Sequence, residues 1–182
     1  MNQPVLKEIL LLEYEKLKDE QRARIGIREN LFYVALVVVG AVFSALLNLP
    51  GLDIGYLAVT PILFVIANSY YYNDEFISRM NSYVRESLAP RLAASAGLKA
   101  EELFQWEGYI RKTHRVRRRL YQFVANLILY PGASAAALAF FVSRRATLST
   151  VEQLSVLACA LATALLLIRV IQFADLFTGR QD

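Results

Sequence analysis

Four long apolar runs without a charged residue constrain the fold of this chain more than any other feature of its sequence. They cover residues 31–49, 55–72, 120–143 and 153–168 and hold 19, 18, 24 and 16 residues. An α-helix rises about 1.5 Å per residue, so a bilayer core about 30 Å thick needs about 20 helical residues. The two shorter runs reach this length by extending into flanking polar residues. The sequence therefore predicts an all-α membrane protein with four transmembrane helices.

Composition supports this interpretation and argues against a soluble helical bundle. Hydrophobic residues make up 56% of the chain, whereas a soluble domain typically holds about 45–50%. The first 30 residues are highly charged and lack the apolar core of a secretory signal. Cys159 is the only cysteine, so we expect neither a disulfide framework nor a cysteine-based metal site.

The distribution of basic residues predicts the orientation of the spans. Six Lys and Arg residues precede residue 31 and ten lie between the second and third runs, whereas the loops on the opposite side hold only Arg144 and Arg145. Cytoplasmic loops carry such an excess of Lys and Arg. We therefore expect a multi-pass protein of the inner (plasma) membrane with both termini and the central segment in the cytoplasm.

These patterns divide the chain into five segments. They are a cytoplasmic N-terminal helix (1–30), a first transmembrane hairpin (31–73), a cytoplasmic helical segment (74–119), a second transmembrane hairpin (120–177) and a tail (178–182).

An apolar stripe follows the N-terminal segment at helical spacing. It consists of Leu6, Leu10, Tyr14, Leu17 and Ile25. The stripe predicts a helix over residues 4–30 that continues into the first span. Its apolar face packs either against the protein's own central segment or against another subunit as a short coiled coil.

The central segment carries the signals of a helical hairpin. Asn73, Asp74 and Glu75 are typical of a helix start, with Asn73 as the cap and two acids in the first turn. An apolar face follows at Ile77, Met80, Val84, Leu88 and Leu92. We expect Pro90 to bend this helix and Gly97 to end it.

Three local signals mark the transmembrane helices. Pro61 is expected to kink the second, and Pro131 with Gly132 to interrupt the third. Ser149 and Glu152 have the spacing of a capping box and are expected to start the fourth.

The strongest charge cluster lies just before the third run. Its basic residues are Arg111, Lys112, Arg115, Arg117, Arg118 and Arg119. Such a juxtamembrane cluster favours contact with anionic lipid. The alternative is a receiver for a phosphate-bearing signal such as a nucleotide, with Trp106 and Tyr109 as stacking surfaces. We expect no specific nucleic-acid partner.

Ionic side chains near the fourth run allow two interpretations. They are Glu152, Arg169 and Asp175. Ordinary roles are a helix cap for Glu152 and snorkelling to the interface for Arg169. Alternatively, the three residues line a pore or pair between helices.

Amide and small side chains predict close packing of the spans. Asn48, Asn68 and Asn126 are expected to form hydrogen bonds between helices. Small residues four apart, such as Gly40 and Ser44, allow helices to approach closely. Four slender helices leave little room for a private channel, so any pore is expected to need several subunits of a homo-oligomer.

The sequence lacks the patterns that are typical of enzymes. His114 is the only histidine, and there is no paired-histidine metal motif, nucleophile elbow, phosphate loop or dinucleotide fingerprint. We therefore expect a protein that is not an enzyme and that uses no cofactor or metal.

Several stretches resemble a group of bacterial proteins. Residues 12–33, LEYEKLKDEQRARIGIRENLFY, with residues 73–75 and 86–92, resemble a family of uncharacterised small bacterial four-span membrane proteins. The layout of cytoplasmic helices and membrane hairpins is also similar to that of membrane effectors in phage defence. This likeness implies a self-associating effector or channel-like protein that its cytoplasmic helices regulate. The alternative is a non-conducting scaffold or sensor subunit that recruits cytoplasmic partners.

Overall fold

Every regular element that the structure describes is helical. This computed structural model describes residues 3–49, 51–99, 102–103 and 120–174. Its helices are α1 (Gln3–Asn48), α2 (Tyr56–Tyr83), α3 (Ala89–Ala96), α4 (described over Leu120–Ser143) and α5 (Thr150–Ala174). A short 3₁₀ turn, Asp53–Gly55, precedes α2. The predicted all-α class is confirmed for this part of the chain.

Four stretches of continuous helix are long and apolar enough to cross a membrane. They are Pro4–Asn48, Asp53–Ala96, Leu120–Ser143 and Thr150–Ala174. Each contains all or nearly all of one predicted run. Only 11% of the most apolar 18 residues in the first and the last is buried within the protein, so these helices offer lipid a largely apolar surface. The predicted number of membrane-length helices is confirmed.

Helix α1 is continuous from the charged N-terminal segment to the end of the first run, as predicted. The predicted helix start at Asn73 is wrong, because α2 passes through Asn73, Asp74 and Glu75 without a break. Asn73 and Asp74 instead accept hydrogen bonds from arginines of α1. Glu75 pairs with Arg79, one turn later in the same helix.

Two prolines lie at single π-helical turns. One turn, Val84–Leu88, directly precedes α3, whose second residue is Pro90. The other, Ile128–Gly132, lies within α4 and contains Pro131. Proline has no N–H and crowds the carbonyl four residues earlier, and the wider turn accommodates both defects. The predicted interruption at Pro131 and Gly132 thus takes the form of a π turn in the α-helical pattern, and helical structure continues past it.

The predicted end of α3 and the predicted start of α5 are confirmed. Gly97 follows α3 with a φ of 69°, a left-handed conformation that costs glycine little. Before α5, the Ser149 N–H donates to the Glu152 carboxylate at 2.9 Å. The Glu152 N–H donates back to the Ser149 hydroxyl at 3.4 Å, which completes a capping box.

The described residues fall into two compact units. The helical layer comprises residues 3–28, 72–99 and 102–103, and the span unit comprises residues 29–49, 51–71 and 120–174. The core of the span unit is rich in buried aromatic rings, among them Tyr56, Tyr70, Tyr71, Tyr130 and Phe141. The rings of Tyr70 and Tyr130 lie 5.8 Å apart between centroids, and this contact joins α2 to α4.

Candidate functional site

The helical layer brings the two predicted apolar stripes together. Leu10 of α1 is buried in one cluster with Val84, Leu88 and Leu92. Partly buried side chains surround this cluster, namely Leu6, Tyr14, Leu17 and Leu103. Of the two alternatives for the N-terminal stripe, the structure thus shows packing against the protein's own central segment.

Polar contacts between α1 and α2 lie beside this apolar cluster. The Tyr83 hydroxyl donates to Glu13 at 2.6 Å, and the Gln21 amide donates to Asn81 at 2.7 Å. The partners follow in opposite order along the two segments, so α1 and α2 are antiparallel here. The hydrogen bond to Glu13 raises the pKa of Tyr83, because a hydroxyl that donates to a carboxylate resists losing its proton.

Arg24 is held on three sides within the helical layer. Its guanidinium donates to Glu20, one turn earlier, at 2.8 and 3.0 Å. It also donates to the Asn73 side chain at 3.5 Å and lies 3.7 Å from the ring centroid of Phe76. A cation over an aromatic face is stabilised by about 0.5–2 kcal/mol, more as water is excluded. These contacts hold the Arg24 side chain between α1 and α2. Arg28, one turn later in α1, forms an ion pair with Asp74.

The two arginines of the loop between α4 and α5 are each paired with an acidic residue of the span unit. Arg144 lies 3.3 Å from Asp53, and Arg145 lies 3.5 Å from Glu152. Glu152 therefore both caps the start of α5 and forms an ion pair with Arg145. Arg169 lies on the exposed side of α5, about 26 Å further along the helix. The structure does not bring Glu152 and Arg169 together.

Most of the other predicted site residues lie outside the residues that the structure describes. These are Arg111, Lys112, Arg115, Arg117, Arg118, Arg119, Trp106, Tyr109 and Asp175. Their roles in lipid or phosphate contact, in stacking and in a pore stay predictions.

The asparagines of the spans divide into two groups. Asn48 and Asn68 donate to the carbonyls of Ser44 and Phe64, each one turn earlier in its own helix and at 2.7 Å. The predicted bonding between helices is therefore wrong for these two. Asn126 of α4 is different, because its side-chain oxygen is buried without a hydrogen-bond partner among the described residues.

Asn126 belongs to a row of buried polar atoms in the core of the span unit. The Tyr130 hydroxyl and the Ser134 hydroxyl follow on α4, and both are fully buried and equally without a hydrogen-bond partner in the described part of the chain. Steps of four residues place the three side chains on one side of the helix, about 6 Å apart along it. Leaving one such group unsatisfied in an apolar interior costs about 2–7 kcal/mol.

Helix α2 contributes matching polar side chains to the same core. Tyr56 is fully buried, and its hydroxyl likewise has no hydrogen-bond partner among the described residues. Thr60, one turn later, is buried beside Cys159 of α5. At the other end of the row, the Gln122 amide donates to the Tyr70 hydroxyl at 2.8 Å.

Pro61 adds a polar contact between α2 and α5, and the kink expected there stays a prediction. A proline cannot donate to the carbonyl four residues earlier, which here belongs to Leu57. The Cys159 thiol lies 3.6 Å from that oxygen and donates to it. The helix stays continuous through Pro61. The proline leaves the Leu57 carbonyl without its usual N–H donor, and the Cys159 thiol of α5 donates to it instead.

Comparison with known proteins supplies no relative. The chain matches no family model, no curated protein and no solved structure.

Proposed function

We propose that this chain is a multi-pass protein of the inner (plasma) membrane with both termini and the helical layer in the cytoplasm. It self-associates through α1 and acts as a membrane effector or channel-like protein that the helical layer regulates. One observation carries this proposal, namely a second apolar stripe on α1 that the fold leaves exposed.

The exposed stripe consists of Val5, Ile9 and Leu12 in the helical layer. About half of each residue is exposed, at 48%, 52% and 55%. Steps of four and three residues place them along one side of the helix, and that side differs from the one that buries Leu10. Exposed apolar stripes at this spacing are typical of helix–helix contacts.

The charge of this segment favours a protein partner over a lipid surface. Residues 4–20 contain three lysines and five acidic residues, which gives a net charge of −2. Helices that lie on the anionic cytoplasmic leaflet are rich in Lys and Arg.

A second copy of the chain fits the stripe well. The same spacing continues from Leu12 to Lys16 and Asp19, which are both exposed. In a parallel pair of α1 helices, the lysine of one copy approaches the aspartate of the other while the apolar positions meet.

The span unit offers independent support for association. A Cβ added at Gly40 meets no atom within 4 Å, and Ser44, one turn later on α1, is exposed. Small residues at this spacing let transmembrane helices approach closely.

The rival function is a non-conducting scaffold or sensor subunit. In that case Val5, Ile9 and Leu12 bind an amphipathic helix of a cytoplasmic protein. The scaffold has the same exposed stripe but no change in membrane permeability.

The test measures the mass of the purified protein in nanodiscs or mild detergent, together with dye release from vesicles that contain it. We expect oligomers and dye release from the wild type, and loss of both for the double variant Ile9→Asp, Leu12→Asp. The control is Ser78→Asp, which adds an acid at an exposed position of α2. A monomer at every concentration would overturn self-association. Stable oligomers that release no dye, and that show no conductance, would favour the scaffold.

A further inference from the structure

The part of α1 in the span unit has an outward face that repeats every seven residues. Its members follow one another in steps of three and four and are all exposed, namely Asn30, Tyr33, Val37, Gly40, Ser44 and Leu47. Val37 is 69% exposed, more than any other large apolar residue of α1. The other side of the same stretch buries Ala35 and Leu46 in the protein's own core. Steps of three and four are typical of a seam between two helices that coil around each other.

The residue types of this α1 seam differ from those of a surface that faces only lipid. On α5, Leu154, Leu157, Leu161 and Leu165 lie along one side of the helix, and each is more than half exposed. Hydrocarbon favours such large apolar side chains. The α1 seam instead includes an amide, a hydroxyl and a glycine. Lipid tails offer no partner for these groups, whereas another transmembrane helix does.

The order of residues along the α1 seam favours two helices. In heptad terms Asn30, Val37 and Ser44 occupy the a positions, and Leu47 occupies a d position. A β-branched residue at a with leucine at d favours a parallel pair, and a single asparagine at a sets the register and the number of chains. A Cβ added at Gly40 meets no atom within 4 Å, so its side of α1 is open to the backbone of another helix.

The partner that fits the α1 seam is a second copy of this chain. Every copy of a multi-pass protein is inserted with the same orientation, so the α1 helices of two neighbouring copies run parallel. Counting back by whole heptads from Asn30 and Tyr33 leads to Lys16 and Asp19 on the same helix, and both are exposed. In this register the lysine of one copy lies next to the aspartate of the other, so the two charges are complementary.

We propose that two copies of this chain pair in parallel along the α1 seam within the membrane, with Asn30 setting the register. The inference rests on the proposed self-association and adds the number of copies, their direction and the surface of contact. A seam that meets its own copy about a two-fold axis is closed, so pairing stops at two. Each copy contributes four helices of membrane length, and the α1 pair is the contact that joins the two sets.

The first experiment measures disulfide cross-linking of the full chain in membranes. In a Cys159→Ala background, Val37→Cys and Ser44→Cys are oxidised with copper phenanthroline. We expect both to form covalent dimers at least about fivefold faster than Leu36→Cys and Ala45→Cys, because a disulfide needs Cβ atoms about 3.5–4.5 Å apart. The two control positions are exposed and lie one residue from the test positions, so they share the same depth but lie off the seam.

The second experiment blocks the α1 seam without disturbing the fold of one chain. Gly40→Ile places a branched side chain where the structure leaves open space within the chain. We expect it to weaken pairing at least about tenfold, because the two backbones then cannot approach closely. Energy transfer between labelled copies in vesicles, followed as lipid is added, measures this. Ala45→Ile, at an exposed position off the seam, is the control and is expected to leave pairing unchanged.

Counting photobleaching steps of the singly labelled wild type in vesicles gives the number of copies, and we expect two. A chain that stays monomeric at every density would overturn both this proposal and self-association. Three outcomes would overturn the two-copy seam and leave self-association in place. They are oligomers of another number, equal cross-linking at the seam and control positions, and pairing that Gly40→Ile does not weaken.

Discussion

Arg28 and Asp74 form an ion pair that is largely enclosed by the helical layer. The Arg28 Nη1 and Asp74 Oδ1 atoms are 2.5 Å apart, and the two side chains are only 14% and 26% exposed. Water and salt screen such a pair much less than a pair on the surface. Loss of one partner leaves the other charge partly buried without compensation, so the pair ties α1 to α2 within the layer.

We expect Arg28→Met to lower the free energy of unfolding by about 1–2 kcal/mol, because Asp74 then stays partly buried without its cation. The matched control is Arg22→Met, since Arg22 and Asp19 form a pair with side chains 80% and 57% exposed. That control is expected to change stability by less than about 0.5 kcal/mol. Chemical unfolding of both variants in detergent, followed by circular dichroism, checks this, and equal effects would contradict it.

Two glycines of the helical layer are expected to respond to alanine in opposite directions. Gly97 has a φ of 69°, where a side chain is strained, so Gly97→Ala should destabilise by about 1 kcal/mol. Gly26 lies inside α1 with no atom within 4 Å of an added Cβ. Gly26→Ala should therefore stabilise the monomer by about 0.5–1 kcal/mol through helix propensity. Melting temperatures that shift in the same direction would contradict the assigned conformations.

Gly132 is expected to be the least tolerant glycine of the π turn and its surroundings. A Cβ added there lies 2.9 Å from the backbone oxygen of Leu127, which cannot move without distorting α4. We expect Gly132→Ala to destabilise by about 1–3 kcal/mol, as overpacking does in other well-packed sites. Gly26→Ala, in an open position of α1, is the control and should not lower stability. A neutral Gly132→Ala variant would show that the turn relaxes freely.

The Ser149–Glu152 capping box gives a prediction that separates a structural role from a pore. Ser149→Ala removes the hydroxyl that accepts from the Glu152 N–H and should cost about 1 kcal/mol of stability. Glu152→Gln keeps an acceptor for the Ser149 N–H and should cost less. If Glu152 is only a cap, neither variant changes ion selectivity in conductance recordings. An altered selectivity in Glu152→Gln would assign this residue to a pore.

The proposed orientation is testable because Cys159 is the only cysteine. In a Cys159→Ala background, Ser78→Cys should react with a membrane-impermeant maleimide only after the cells are opened. Thr147→Cys, in the short loop before α5, should react in intact cells. Both positions are exposed in the structure, so lack of access does not explain a negative result. The reverse pattern would invert the topology.

The features that could be predicted from the sequence depend on local patterns. Leu10 and Leu88 lie on stripes whose helical spacing alone marks the buried face, and both are buried. Gly97 and the Ser149–Glu152 pair are signals complete within four residues, and both have the predicted geometry.

The wrong prediction of a helix start at Asn73 depends on residues far away in the chain. Asn73 and Asp74 read locally as a helix start, but their partners are Arg24 and Arg28, which lie 49 and 46 positions earlier. These arginines satisfy the polar side chains and leave α2 free to continue.

The buried polar row was missed although part of its signal is visible. Asn126, Tyr130 and Ser134 recur every four residues inside an apolar run, which is typical of a polar stripe on a helix. The sequence does not show how α4 is rotated about its axis, and that rotation decides whether the stripe faces a water-exposed groove or another helix.

The ion pairs of the two short loops have an electrical consequence in the proposed orientation. Asp53, Arg144, Arg145 and Glu152 are the charged residues of these loops and the start of α5, and their charges sum to zero. Turning the protein over would move the basic cytoplasmic residues against the membrane potential, at about 2.3 kcal/mol per charge per 100 mV. The charges of the two short loops sum to zero, so moving these loops to the cytoplasmic side would recover none of that energy. In the proposed orientation, the resting potential would therefore oppose inversion, and insertion errors are expected to rise when the membrane is de-energised.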